Sequence, residues 1–167
     1  MPISVYFFLI LQLAIISYMD IKFKKISNFW PLFNGLVFVI FLFLFPHQYD
    51  FILGTFIFSF LLIMGGFILF RLKIMGAGDS KYLASLYLLI PLALQKEAFT
   101  YCIYSIVIMG CIMLLINTTR SFGKILNLLK NFNIQEIKGF YGSKIPFIPV
   151  VFLSWIWFGI DYWEKIT

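Results

Sequence analysis

The 167-residue chain is 62% hydrophobic and only 12% charged, with 22 Phe; soluble domains carry about 25% charged residues, so an ordinary soluble globule is excluded and a membrane protein is expected. The net charge of +6 does not call for nucleic acid, because the basic residues are scattered between apolar runs and no soluble domain offers them a binding face. Two cysteines, Cys102 and Cys111, share one apolar run and are too far apart for a redox or metal pair, so they are expected to pack.

The first apolar run, Ile3–Met19, is interrupted only by Ser4, Gln12 and Ser17 and sits near the lower limit of about 17 residues for crossing a bilayer. It lacks a basic leader region and an Ala-x-Ala cleavage site, so it is expected to remain as an anchor. Asp20 closes it, and Lys22, Lys24 and Lys25 follow. Phe29–Phe45 forms a second span with Trp30 as an interfacial anchor. After the short connection Pro46–Asp50, Phe51–Phe70 forms a third, ended by Arg71 and Lys73. Tyr82–Leu94 contains Pro91 and is short enough to be re-entrant. Ala98–Ile116 is long enough to span, so the basic connections on either side share a compartment only if the short segment crosses as well. These become the fourth and fifth spans. A polar, basic stretch from Thr118 to Lys144 then precedes a sixth, Pro146–Trp163.

Charge sets the expected orientation. Lys22, Lys24 and Lys25, then Arg71, Lys73 and Lys81, then Arg120, Lys124, Lys130, Lys138 and Lys144 fall in the first, third and fifth connections, which leaves only Lys96 and Lys165 of the 13 basic residues elsewhere. By the positive-inside rule, residues 20–28, 71–81 and 118–145 face the cytoplasm and both termini face outward. Within the last of these connections Ile125, Leu128, Leu129 and Phe132 recur at helical spacing. That pattern suits an interfacial helix, either a plain connector lying on lipid or a surface that holds substrate or anionic lipid. The expected fold is therefore all-α, one domain over residues 1–167 with six transmembrane helices, multi-pass in the plasma membrane. The bilayer is its solvent, and nothing in the chain signals an oligomeric state.

The polar inventory narrows the chemistry. The single histidine, His47, lies in an outward connection, so neither a His-Glu-x-x-His zinc site nor a Ser-His pair can be assembled. No metal and no cofactor is expected. Asp50, Glu97, Asp161 and Glu164 are expected to be solvated, and Glu136 sits in the large cytoplasmic connection. What remains is Asp20 at the end of the first span and Asp79 at the start of the fourth, both at one membrane face. An acid near hydrocarbon is costly unless something uses it. On spacing alone, Gly76-Ala77-Gly78-Asp79 is equally well a turn ending in a helix N-cap.

Paired carboxylates can hydrolyse an amide when one takes a proton from water and the other gives one to the carbonyl oxygen. Helix ends offer a way to set them apart: Asp20 at a C-terminus is expected to favour the protonated form and Asp79 at an N-terminus the ionised form. Gly76 and Gly78 are expected to permit close backbone approach or a positive φ before Asp79. Lys81 could steady Asp79 or touch substrate; a side chain snorkelling to the surface explains it as well. The rival reading is a small ion- or proton-coupled transporter using the same two acids, although such sites are expected near the bilayer midplane and these acids lie at span ends.

Asp20, Lys25-Ile26-Ser27-Asn28 and Gly76-Ala77-Gly78-Asp79-Ser80-Lys81 together resemble the type IV prepilin peptidases, a family of GxGD membrane aspartyl proteases. Pro146-Phe147-Ile148-Pro149 is similar to the proline-containing opening of that family's final span. The resemblance implies cleavage, at the cytoplasmic face, of the basic leader of a pilin-like precursor, with Asp20 and Asp79 as the catalytic pair. Ser27 stands where family members often have Pro. The longer members add a cysteine-containing domain and methylate the new N-terminus; no such domain fits here, so peptidase activity without methyl transfer is expected.

Overall fold

The computed structural model describes residues 1–71, 75–131 and 147–166. Lys73, Phe132, Glu136, Lys138, Lys144 and Pro146, on which parts of the sequence reading rest, lie outside the described residues. Among the described residues all regular structure is helical. The helices are α1 (Ile3–Phe23), α2 (Phe29–Leu44), α3 (Leu53–Arg71), α4 (Ala77–Leu88), α5 (Leu92–Asn131), α6 (Ile148–Asp161) and a closing turn, α7 (Trp163–Ile166).

The side-chain pattern is that of helices in a non-polar solvent. On α1 the buried stripe runs Val5, Leu9, Gln12, Leu13, Ile16, Ser17 and Asp20, while the opposite face exposes Phe7, Leu11, Ile15 and Tyr18. A helix that is apolar all round belongs in a core or a membrane. On α3 Ile57, Phe60, Met64 and Phe67 are likewise exposed, a larger apolar surface than soluble monomers present. Among the described residues two helices, α1 and α3, have both the length and the hydropathy to cross a bilayer, while α2 and α6 are apolar but shorter, at 16 and 14 residues.

The helices pack as two groups. The short helix α4 lies against α2 and α3, and α6 lies against α1 and α5, with α3 meeting α5 between the groups. Both groups depend on a glycine at a crossing. A Cβ on Gly66 of α3 would run into Ser80 of α4, and one on Gly159 of α6 would run into the ring of Tyr6 on α1. Polar side chains tie the groups together: Gln12 donates to Asn34 on α2, whose Nδ2 donates to Ser85 on α4 at 3.0 Å. In hydrocarbon such groups must be satisfied internally, which makes the network specific about which helices meet.

The fourth and fifth helices depart from the expected bounds. α4 begins at Ala77 and ends at Leu88, so Asp79 is inside it and Pro91 lies in the following turn. Pro disfavours helical geometry in the residue before it, which stops α4 short of Leu94. Gln95 makes the stop workable: its Nε2 is shared among the carbonyls of Tyr87 (3.0 Å), Ile90 (3.0 Å) and Thr55 (3.2 Å), which gives the carbonyls at and just past the helix end a side-chain donor. α5 is continuous for 40 residues, about 60 Å at 1.5 Å per residue. The helical spacing at Ile125, Leu128 and Leu129 thus extends α5 and does not form a separate helix. Asp161 is also more engaged than expected, accepting a 2.7 Å hydrogen bond from Tyr101. Cys102 is buried, Cys111 is exposed, and both are free thiols.

Candidate active site

Asp79 is fixed by its own helix. Gly76 is the N-cap of α4 with extended backbone (φ −79°, ψ 149°), and Asp79, at the third position of the helix, reaches back to accept the Gly76 N–H at 3.0 Å. This is the acidic half of a capping box, the reciprocal side-chain oxygen being absent in glycine. Asp79 is therefore not the N-cap residue that the spacing alone allowed.

The two glycines act by sparing space, and neither has a positive φ. A Cβ on Gly78 would stand 2.8 Å from the carbonyl oxygen of Ile26, so the turn before Asp79 lies directly against the backbone of the α1–α2 connection. A Cβ on Gly76 would stand 3.1 Å from Asp79 Oδ2 and press on the carboxylate itself. In that connection Lys24 takes the left-handed conformation (φ 50°), its N–H closing α1 on the Asp20 carbonyl at 2.9 Å. The Ser27 Oγ accepts the Phe29 N–H at 3.3 Å, so the serine at this position helps to start α2.

These parts surround a cleft of about 1550 Å³, walled by the α1–α2 connection, the end of α3 and residues 75–79. Asp79, Gly76, Gly78 and Lys81 all border it, as do Lys24, Lys25 and Arg71. The cations read from sequence as orientation charges thus also set the potential of the cleft. Lys81 is exposed; two residues along a helix, it does not share a face with Asp79.

Asp20 is held differently. It belongs to the last turn of α1, 3% exposed, and is not among the cleft-lining residues, although the preceding Met19 is. Its Oδ2 accepts the backbone N–H of Ile148, the first residue of α6, at 3.2 Å. The carboxylate of Asp20 thus meets the positive end of a second helix, as that of Asp79 meets the start of its own. Sequence reasoning missed this donor, since a backbone N–H carries no residue signature. It also missed Asn34, whose isolated amide in an apolar run could have been matched to Gln12.

No curated protein and no solved structure matches the chain. The model of the type IV leader peptidase family matches residues 7–118, more than half of the chain and a stretch that contains both Asp20 and Asp79. The chain belongs to the type IV leader peptidase family, and with it to the membrane-embedded proteases.

Proposed function

We propose that the protein is an aspartyl endopeptidase that removes the basic leader of a pilin-like precursor at the cytoplasmic face of the membrane, with Asp20 and Asp79 as its catalytic pair. The observation that carries this reading is the cleft bordered by Asp79 and by the connection that follows Asp20, in a chain of this family. One carboxylate takes a proton from water as the water oxygen bonds to the scissile carbonyl carbon. The other, protonated, gives its proton to the carbonyl oxygen. Collapse of the resulting diol returns that proton, breaks the C–N bond and leaves the amine protonated by the first carboxyl. Both groups end as they began.

The topology that goes with this activity has six spans, both termini outside, and residues 20–28, 71–81 and 118–145 in the cytoplasm. The length of α5, about twice the hydrocarbon thickness of roughly 30 Å, fits a helix that crosses and then continues into the cytoplasm.

The test is a membrane cleavage assay on a pilin-like precursor. Asp20→Asn and Asp79→Asn should each abolish leader removal about as completely as the double variant, since groups acting as a unit are strongly non-additive. Robust cleavage by either single variant rejects the pair. Cysteine labelling at positions 47 and 121 should report opposite sides of the membrane, and labelling from one side would defeat the topology.

A further inference from the structure

One helical turn inward from each carboxylate lies a buried hydroxyl with no hydrogen-bond partner. Ser17 precedes Asp20 by three residues on the buried stripe of α1, and Tyr82 follows Asp79 by three on α4. They are 6% and 0% exposed, and neither Ser17 Oγ nor Tyr82 Oη is satisfied by another protein group. Deeper still, the Gln12–Asn34–Ser85 network joins the same two helices through α2, and its Gln12 Oε1 is also unpartnered.

Tyr82 carries the weight. A serine on a helix can turn its hydroxyl to its own backbone; a tyrosine ring is too long for that. Burying an unsatisfied hydroxyl costs more than the ring alone would, and this chain uses Phe 22 times against 9 Tyr, so packing by itself would be served by Phe. Long side chains on a helix lean toward its N-terminus, which directs Tyr82 over the turn that holds Gly78 and Asp79. Tyr49 and Ser154 show the alternative, donating to the Leu89 and Val151 carbonyls at 2.7 Å each, while Ser59 Oγ on α3 is unpartnered too but does not lie one turn from either carboxylate in sequence.

We propose that Ser17 and Tyr82 form an internal water site behind the two carboxylates, holding and orienting the water that cleavage consumes. The ligand is water because the unpartnered atoms are neutral and include both acceptors and donors, and a buried water needs two to four such partners. Ser17 and Tyr82 are positioning residues, acting on the reaction through the water and the carboxylates. This inference rests on the reading of Asp20 and Asp79 as the catalytic pair, and it makes the polar interior of α1, α2 and α4 part of the same device.

The test has two arms on the full-length protein in lipid nanodiscs. Radiolytic hydroxyl-radical labelling in ¹⁸O-water modifies rings beside bound water. Tyr82 should be labelled several-fold faster than Tyr49, which is as deeply buried but already bonded to protein; equal rates overturn the water site. In the cleavage assay Tyr82→Phe should lower kcat about tenfold with KM unchanged and displace the pH profile, the scale of one lost hydrogen bond to a water that must be oriented. Adding Ser17→Ala should cost less than the product of the two single effects, because both act on one water. Wild-type kcat in Tyr82→Phe overturns the positioning role. Failure of the catalytic pair would show instead as cleavage by Asp20→Asn or Asp79→Asn, and the labelling result would stand apart from it.

Discussion

The two carboxylates sit in two helix groups and are held by opposite strategies. Asp79 is fixed by a residue beside it in sequence: Gly76 supplies the N–H that its carboxylate accepts, and α4 begins at the next residue, Ala77. Asp20 is fixed by an amide 128 positions away, at the start of a helix beyond the part of the chain that matches the family model. A locally built acid can be carried as a short motif. One built at long range exists only when α1 and α6 are packed together, so its geometry is a property of the whole fold.

The largest expected effect tests the point where the two halves touch. Gly78→Val would drive a side chain into the Ile26 carbonyl, displacing the α1–α2 connection from Asp79. A shift of about 1 Å at a reacting group costs on the order of 100-fold, so cleavage should fall by about that factor while the protein still inserts at normal abundance. Gly76→Ala, which presses only on the Asp79 side chain, should be milder. Wild-type cleavage by Gly78→Val would mean that close backbone approach is not what the glycine provides.

Lengthening each acid separates the two modes of support. Asp79→Glu leaves an acid at the helix position where Glu is the usual partner in a capping box, so thermal stability in detergent should be unchanged although cleavage is lost. Asp20→Glu adds a methylene to a buried group packed against α6, and overpacking of this kind typically costs about 1–3 kcal/mol. Equal thermal shifts for the two variants would remove the distinction between local and long-range support.

The glycine crossings give a smaller contrast in stability. Gly66→Ala meets the Cα and Cβ of Ser80, which cannot withdraw, whereas Gly159→Ala meets only the outer part of the Tyr6 ring. Both should lower the melting temperature, and Tyr6→Leu should recover the second variant; failure of that rescue would place the conflict in the backbone. The smallest effect belongs to Lys81. Lys81→Gln should raise KM by about two- to threefold with kcat unchanged, the pattern of lost uniform binding. A fall in kcat instead would connect Lys81 to the reacting carboxylate.

What could be read from sequence follows the same division. Gly76 and Asp79 stood out in sequence because the bond between them is local, Gly78 because a residue without Cβ marks a close approach, and Asp20 because an acid ending an apolar run is conspicuous; the partner of Gly78, the Ile26 carbonyl, did not. The end of α4 was not, since the feature that closes it, Gln95 serving the carbonyls of Tyr87 and Ile90, reads in sequence as one polar residue beside Lys96 and Glu97. Pro91 was visible, but its place in a turn and not within a span depends on that amide. The continuity of α5 past Ile116 was hidden because the change from apolar to basic residues marks a change of solvent, not the end of a helix. The donor to Asp20 was invisible in principle.

The closure of α4 by Gln95 also has a consequence for how that helix is housed. Twelve helical residues reach only about 18 Å, far less than the hydrocarbon thickness of roughly 30 Å, so α4 cannot meet both headgroup layers by itself. The Tyr49 hydroxyl on the Leu89 carbonyl and the Thr55 carbonyl on Gln95 roof its far end with the α2–α3 connection. From Tyr82 to Tyr87 every residue of α4 is buried, so the helix that carries Asp79 ends inside protein, and its position is set by α2, α3 and that roof.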